Sequence, residues 1–519
     1  MKEFILTNAE ATAVDRYAIE TTGIPGIELM GKAGHFIALR AKKMLKDVPN
    51  SRVDIFCGTG NNGGDGFAAA LDLFDWGANT VVWLVGEQER IKGDARHYFD
   101  QCVAKNIPIR AITEQAGISP ELRQVSETDL IIDALLGTGF RGTIHGILSE
   151  VIKLINNSRQ PVIAVDIPSG VDGDTGQVKS VAVQATVTVT MGFLKRGLLF
   201  YPGKHLAGEI VVVDLDYPAK AFNTLTQETF LISKADVKRV IPPVMEDTYK
   251  HRQGKILIFA GSVGMTGAAC LCAQAAMRTG AGLVVAAIPR SLYPIIAAKL
   301  TEVLALPVSE SAEQTFCPEA ISEATGRIDW SDIVVFGPGV GAHPAVMAFG
   351  QELIKICPKP LIIDADGLRI FKGQLDLIRR IPDAILTPHH GEFALMTGWA
   401  TDDIRSNPID WARQFVQDYP CTLVLKGAPT IVVSRHGQVA VNPSGNPGLS
   451  TGGTGDVLTG IIATFRAQGM GSFEAAYAGV AIHGLAGDWA RKKLGVRSLI
   501  ASDLFDYLPL ILRRIEKVI

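Results

Sequence analysis

The feature that most constrains this chain is a repeated pairing of a short Val/Ile/Leu run with a glycine or acidic residue, followed by a helical pattern. In the first half the runs are "RVDIFCG", "TVVWLVG", "DLIIDALLG", "PVIAVDIP", "ATVTVT" and "EIVVVDL". Their near-continuous apolar character, without strict alternation, marks strands buried on both faces, as in a parallel sheet. Helical patterns such as "GDGFAAALDLFDWG" and "HGILSEVIKLINNS" lie between them. Doubly wound α/β architecture follows, and it places ligands at the carboxyl ends of strands.

A second series begins after a polar stretch at 216–255 that holds three prolines. It reads "KILIFAG", "GLVVAAIP", "EVLALPV", "DIVVFGPG", "PLIIDADG", "AILTPHHGE", "CTLVLKG" and "PTIVVS", closed by helical patterns at 455–468 and 473–493. The glycine motifs of the halves fall at different points, so they are not repeats. The length of 519 residues exceeds a single-core domain. The expectation is two different α/β domains, 1–222 and 223–519.

Several function classes are excluded early. The net charge of -3 gives no electrostatic reason to expect nucleic acid or an anionic membrane as partner. The start lacks a basic region before a long apolar core, so no secretory signal is expected, and no run is long enough to span a bilayer. The cysteines at 57, 102, 270, 272, 317, 357 and 421 form no CxxC pair. Inert buried thiols in a reducing cytoplasm are expected, not disulfides or zinc.

In the second half each strand ends in a glycine or polar signature: "ILIFAGSVGMTGAA", "VVFGPGVG", Asp364 and Asp366 in "IIDADGL", His389 and Glu392 in "LTPHHGE", Lys426 in "LVLKGAPT". Strand ends of one sheet converge on one crevice. The turn "GGTGD" makes the strongest case. Its glycines free successive N–H groups for one oxyanion, and the helix starting there adds its positive end. Asp456, in the first helical turn, can serve as general base toward a hydroxyl. Capping the helix is the alternative use of such an Asp; the flanking glycines and converging strand ends favour the base. Asp364 and Asp366 divide evenly between magnesium or phosphate duty and strand-end capping.

The GxGD turn resembles the ribokinase-like superfamily. The set "GSVGMTGAA", "GPGVG", "DADGL", "LTPHHGE", "LKGAPT" and "TGGTGDVLTG", in that order over nearly the whole second domain, resembles the ADP/ATP-dependent NAD(P)HX dehydratases. The resemblance implies conversion of (S)-NAD(P)HX to NAD(P)H with ADP becoming AMP and phosphate, and Mg2+ as the companion of those phosphates. It implies that Lys426, Gly427, Ala428, Pro429 and Thr430 line the adenine nucleotide, with Gly455 at its phosphates. Ala268, Gly339, His389 and Asp456 would contact the hydrated dinucleotide. The family usually has Pro where this chain has His390, a departure expected to loosen the turn after His389.

In the first half, "VDIFCGTGNNGGDGFAAA" runs from strand through glycines into helix, but it is neither GxGxxG nor a Walker loop. Asn61, Asn62 and Asp65 suit both a phosphate and a hard monovalent cation. "IIDALLGTGFRGT" places Asp133 before a turn carrying Arg141, and "IAVDIPSGVDGDTG" places Asp166, Ser169, Asp172 and Asp174 after a strand. The run 172–174 lacks a calcium-loop frame, so a solvated turn is expected. Lys195 in "GFLKRGL" is either a basic site residue or a solvated surface lysine.

These motifs, with the helical lead-in "LTNAEATAVDRYAIETTGIPGIELMGKAG", resemble the NAD(P)HX epimerases over most of residues 1–215. The resemblance implies a Rossmann-like three-layer sandwich that interconverts (R)- and (S)-NAD(P)HX. Asn61, Asn62, Gly63, Gly64 and Asp65, with Gly137, Thr138, Gly139, Phe140, Arg141, Gly142 and Thr143, would hold the substrate. Asn62, Asp133 and Ser169 would hold potassium, and Asp166 would be the acid/base residue near C6. The implied partners are NADHX, NADPHX and an adenine nucleotide, in a homo-oligomer without nucleic acid or membrane. The competing expectations are a ribokinase-like small-molecule kinase fused to a nucleotide-binding domain, and a non-catalytic nucleotide sensor. Motifs for one damaged metabolite in both halves argue against the first, and the intact Asp166 and Asp456 against the second.

Overall fold

The computed structural model describes residues 3–113, 125, 127–225 and 228–516. They divide into two compact units, Glu3–Thr226 and Gln227–Ile519. In the first, the elements are β1 (Glu3–Leu6), α1 (Asn8–Arg16), α2 (Gly26–Met44), β2 (Arg52–Cys57), α3 (Asn61–Asp75), β3 (Asn79–Val85), α4 (Gly93–Ala104) and β4 (Ile109–Ile112). They continue with β5 (Leu130–Ala134), α5 (Gly146–Ser158), β6 (Val162–Val165), β7 (Val187–Met191), β8 (Leu194–Lys195), α6 (Gly203–Leu206) and β9 (Glu209–Val213).

Seven of these strands form a sheet in the order β4-β3-β2-β5-β6-β7-β9, parallel throughout. The order reverses between β2 and β5, and at such a switch point the loops diverge and leave a crevice. Each residue of β5, β6 and β7 is buried, which explains why these strands read as unbroken apolar runs. The helix α1 opens on the sequence "TNAE": the Thr7 hydroxyl accepts the Glu10 N–H at 3.2 Å while the Glu10 carboxylate accepts the Thr7 N–H at 2.8 Å, a reciprocal cap.

The second unit runs β10 (Thr229–Leu231), α7 (Lys234–Val240), β11 (Lys255–Phe259), α8 (Thr266–Arg278), β12 (Leu283–Pro289), α9 (Tyr293–Lys299), β13 (Leu304–Val308), α10 (Ala320–Trp330), β14 (Ile333–Phe336) and α11 (Pro344–Ile356). It goes on through β15 (Leu361–Ile363), β16 (Ala384–Leu386), α12 (His390–Thr397), α13 (Thr401–Ser406), α14 (Pro408–Asp418), β17 (Thr422–Leu425), β18 (Ile431–Val433) and β19 (Val439–Val441). Three helices close it: α15 (Thr454–Ala467), α16 (Ser472–Leu494) and α17 (Leu504–Ile515). Its strands follow the order β13-β12-β11-β14-β15-β16-β17-β18-β19-β10.

This sheet is parallel from β13 to β17, then β18 runs antiparallel to both β17 and β19. The antiparallel end, and the short strands β1, β4, β8, β10 and β19, go beyond what the apolar runs predict. A three-residue strand such as β19 carries too few side chains to show a period. Two alternating α/β domains, the class expected from the sequence, are what the chain forms.

The helix that carries the "GGTGD" motif is set by close packing. An added Cβ on Gly460 of α15 would lie 2.2 Å from the Cys272 carbonyl oxygen and 2.8 Å from the Ala275 Cβ of α8. Only a bare backbone lets the two helices approach this closely. Gly460→Ala is therefore expected to cost about 1–3 kcal/mol by overpacking, lowering the thermal midpoint of the C-terminal unit by roughly 2–10 °C. Calorimetry of the full chain checks this; transitions unchanged from the wild type would contradict the packing argument.

Candidate active sites

In the N-terminal unit the strand ends open into a cavity of about 1310 Å³. Its floor begins where β2 meets β5. A Cβ on Gly58 would stand 2.1 Å from the Leu135 carbonyl oxygen, so the exits of the two strands touch backbone to backbone. The turn after β2 is shorter than the sequence suggests, because α3 begins at Asn61. Asn61, Asn62 and Asp65 thus sit in the first helical turns and line the cavity, where free N–H groups favour an anion. Gly63 and Gly64 are buried packing positions: a Cβ on the former would lie 1.9 Å from the Gly58 oxygen, on the latter 2.6 Å from the Met30 Sδ.

The opposite wall is the loop after β5. Gly137, Thr138, Gly139, Phe140 and Arg141 line the cavity, and Gly142 and Thr143 do not. Arg141 is exposed and donates to the Asp174 carboxylate at 2.7 Å. Asp174 also accepts the Asn8 N–H at 2.6 Å, and Asp172 accepts the N–H of Asp174 and Thr175 at 3.0 and 2.9 Å. The 172–174 segment is therefore not a solvated turn. It is half-buried and cross-linked to α1 and to the Arg141 loop, contacts too distant in sequence to be read there.

Beneath this loop lies a buried polar group. Both oxygens of Asp133 accept from Ser169, its N–H at 2.8 Å and its hydroxyl at 2.6 Å. Burial raises the Asp133 pKa to about 6 against these hydrogen bonds. Asn62 joins them from α3: a Cβ on Gly137 would stand 2.9 Å from its Oδ1, and its buried Nδ2 has no partner. An amide that presents its oxygen after a half-turn about its terminal bond would complete a set of carboxylate, hydroxyl and amide oxygens. That set fits a hard monovalent cation.

Asp166 follows β6 in a left-handed conformation, φ +65°, rare and strained outside glycine and Asn/Asp. Its carboxylate is held against the end of the neighbouring strand β7. Its Oδ1 accepts the Thr190 hydroxyl at 3.1 Å, the Met191 N–H at 3.2 Å and the Lys195 ammonium. Lys195 is 2% exposed, so of the two readings of this lysine the solvated surface one is wrong. It also donates to the Met191 carbonyl at 2.8 Å and lies 4.7 Å from the Phe193 ring centre. Asp15, Asp65 and Tyr217 line the same cavity. Burial first, then the charges of Asp166 and Asp15, hold the Asp65 pKa well above the carboxylate range.

In the C-terminal unit the centre is an ion pair. Lys426, after β17, donates to Asp364, after β15, at 2.9 Å and lies 3.8 Å from Glu392. The other Asp364 oxygen accepts the Thr459 hydroxyl of α15 at 2.7 Å. Asp364 is 1% exposed. Removing one partner of such a pair costs about 3–5 kcal/mol, since the other charge stays buried alone. Asp364 is thus neither a plain strand-end cap nor a free magnesium ligand. Asp366, by contrast, accepts the Gly341 N–H at 3.0 Å.

The "GGTGD" turn closes over this pair. Gly453 takes φ +90° as the residue before α15, a conformation glycine adopts freely. A Cβ on Gly455 would lie 3.4 Å from the Lys426 Nζ, so the ammonium sits against the helix start. Asp456 is half-buried there. Burial, then the nearby Asp364, raises its pKa to about 7, against the pull of Lys426. Gly339, φ +63°, packs on Ala268: a Cβ there would lie 2.7 Å from the Ala268 Cβ. Gly427 and Thr430 pin the β17–β18 loop through bonds of 3.3 and 3.1 Å, with Ala428 and Pro429 between them.

His389 also has a structural part in this site. Its Nδ1 accepts the N–H groups of Gly391 and Glu392 at 3.0 and 3.1 Å, and its own N–H donates to Glu392 at 2.8 Å. It caps α12, and its exposed ring carries Nε2 3.5 Å from the Glu392 Oε1. His390 does not loosen this turn: it is the first residue of α12, and burial lowers its pKa to about 4. The roles of Thr459, Asp15 and Tyr217 escaped sequence reading, whereas Lys195 was one of its two-way candidates. A lysine two residues past the Gly192–Phe193 turn was the one available signal; Asp15 and Tyr217 had none.

All seven cysteines are free and buried. No helix among the described residues is long and apolar enough to cross a membrane.

The two sites define a two-domain α/β protein. One domain has a glycine-rich helix start with a lysine and a half-buried carboxylate against it, and the other has a Rossmann-type crevice with a lysine-paired carboxylate. Known proteins place it further. A family model described as NAD(P)H-hydrate dehydratase matches residues 256–510, and one described as YjeF-related protein N-terminus matches residues 26–197. The bifunctional NAD(P)H-hydrate repair enzyme Nnr of Moorella thermoacetica is 36% identical over 516 residues, 99% of this chain and 97% of that protein. That of Thermofilum pendens is 37% identical over 98% of this chain and 96% of its own length. An ADP/ATP-dependent NAD(P)H-hydrate dehydratase from Bacillus subtilis, co-crystallized with ATP/Mg2+, is 27% identical over 55% of this chain and 98% of that one, with a TM-score of 0.47. The chain belongs to the family of bifunctional NAD(P)H-hydrate repair enzymes.

The Asp456 environment has a stability consequence. Its folded pKa of about 7 lies above the ordinary 3.8, so its contribution is complete at low pH and lost as pH rises through about 7. Asp456→Asn cannot ionise. The variant is expected to melt above the wild type at about pH 8, with the gap narrowing toward about pH 5. Equal melting at the higher pH would contradict the burial argument.

Proposed function

We propose that this chain repairs hydrated nicotinamide cofactors in two steps. The N-terminal domain, spanning 1–222, interconverts (R)- and (S)-NAD(P)HX, and the C-terminal domain, 223–519, dehydrates the S epimer to NAD(P)H with ADP. The observation that carries this reading is Asp456, raised to about 7 beside Lys426 at the helix start. A base matched to neutral pH at an anion cradle is what phosphoryl transfer to a hydroxyl needs.

In the C-terminal domain, Lys426 to Thr430 and Gly455 support the nucleotide, and Ala268, Gly339, His389 and Asp456 face the hydrated ring. Asp456 takes the proton of the C6 hydroxyl as its oxygen attacks the terminal phosphorus of ADP, and AMP leaves. The C6–O bond then breaks with its electron pair leaving on inorganic phosphate, a proton passes from C5 to water, and the C–H pair forms the C5=C6 double bond. The N–H groups of Gly453 to Gly455 and the Lys426 ammonium offset the phosphate charge. Asp364 is engaged by Lys426 and Thr459, so magnesium would ride on the nucleotide phosphates rather than in a carboxylate cage.

In the N-terminal domain, Asp166 acts as acid/base at C6 and Lys195 holds its carboxylate in place. The Asn61–Asp65 and Gly137–Thr143 segments support the dinucleotide. Asn62, Asp133 and Ser169 would hold potassium, which would supply a fixed positive charge to offset the substrate's phosphates.

Asp456→Asn is expected to cut ADP-dependent recovery of reduced-nicotinamide absorbance by at least about 100-fold while epimerisation continues. In the wild type that rate rises with pH and levels off above about 7, as Asp456 ionises. Normal dehydration by the variant would refute the assigned base. A flat pH profile would refute its tuning.

A further inference from the structure

Inversion at C6 needs two proton-transfer groups. A carboxylate on one face of the ring assists departure or arrival of the hydroxyl on that face alone. Asp166 supplies one group, from the strand ends. The cavity holds a second, on a different element.

Asp15 lies in the last turn of α1 and lines the same cavity as Asp166 and Lys195. Its Oδ1 accepts a hydrogen bond from the hydroxyl of Tyr217, a residue beyond β9 and 202 positions away. Tyr217 has little freedom. Its ring rests on the Gly192 turn, where a Cβ would stand 2.3 Å from Cε2, and its centre lies 5.6 Å from that of Phe193. Phe193 in turn stacks against the Lys195 ammonium. Two carboxylates, each with its own fixed donor, therefore face one space from a helix and from a sheet.

We propose that Asp15, held by Tyr217, is the second acid/base group of the epimerase and works on the ring face opposite Asp166. The proposal rests on reading this domain as the epimerase. In one direction the Asp15 carboxyl gives its proton to the C6 hydroxyl. The C6–O bond breaks, water leaves, and the N1 lone pair forms the N1=C6 bond. A water on the other face then bonds to C6 through its oxygen and gives a proton to Asp166, and the electron pair returns to N1. The other epimer reacts with the roles exchanged.

The charges agree. Burial raises the Asp15 pKa, against the Tyr217 hydrogen bond and the Lys195 charge, and Asp166 adds to the rise. Asp15, Asp65 and Asp166 share Lys195 as the near cation, with Tyr217 neutral and Arg16, Glu20 and Asp94 further along the lining. Three carboxylates around one ammonium retain a proton more readily than isolated ones, as an acid must. Lys195 cannot take this part while its ammonium is engaged by Asp166 and the Met191 carbonyl.

The test follows inversion of pure (S)-NADHX by the full chain without nucleotide, with the epimers separated chromatographically. Asp15→Asn is expected to slow inversion by about 100-fold or more while ADP-dependent consumption of the S epimer is kept. Tyr217→Phe removes a hydrogen bond that favours the Asp15 carboxylate, so the alkaline limb of kcat/KM for inversion should move to higher pH. A purely structural role would not move that limb. Inversion by Asp15→Asn within about 3-fold of wild type, or an unmoved limb in Tyr217→Phe, would overturn the proposal. A wild type that inverts no faster than the spontaneous rate would instead overturn the epimerase reading itself.

Discussion

A parallel sheet covered by helices on both faces leaves only its strand ends open to polar chemistry, and this chain uses that constraint twice. Both sites sit at carboxyl ends of parallel strands, and both are organised by a lysine paired with an aspartate. In the N-terminal domain the lysine lies past β7 and its partner past β6. In the C-terminal domain the lysine lies past β17 and its partner past β15. An unpaired charge in either place would be costly, so each pair fixes the loops that hold it.

The pairs differ in what the lysine does. Lys195 bonds the Asp166 carboxylate directly, which fixes its position. Lys426 bonds Asp364, and burial lifts the nearby Asp456 to about 7 against the Lys426 charge. Epimerisation runs both ways and suits a carboxylate locked by a donor. Phosphoryl transfer needs a base that is free to take a proton near neutral pH.

Much of this was legible in the sequence. Unbroken apolar runs showed the parallel strands, because residues buried on two faces cannot alternate. Glycine clusters showed the tight strand exits, and Gly453 and Gly339 do take positive φ. What stayed hidden depended on contacts between distant segments. Asp174 reaches Asn8 and Arg141, Asp15 meets Tyr217, and Thr459 meets Asp364. Short strands such as β10 and β19 were too brief to carry a period. Lys195 stood between two readings because a charged residue after a strand gives no sign of its own burial.

The central claim is that two separate centres act in turn on one metabolite. A chirally resolved time course with a mixture of (R)- and (S)-NADHX plus ADP tests it most directly, comparing the wild type with Asp166→Ala. The account predicts that the wild type consumes both epimers, while the variant consumes S and leaves R to decline at the spontaneous rate. Consumption of R by the variant at the wild-type rate would contradict it.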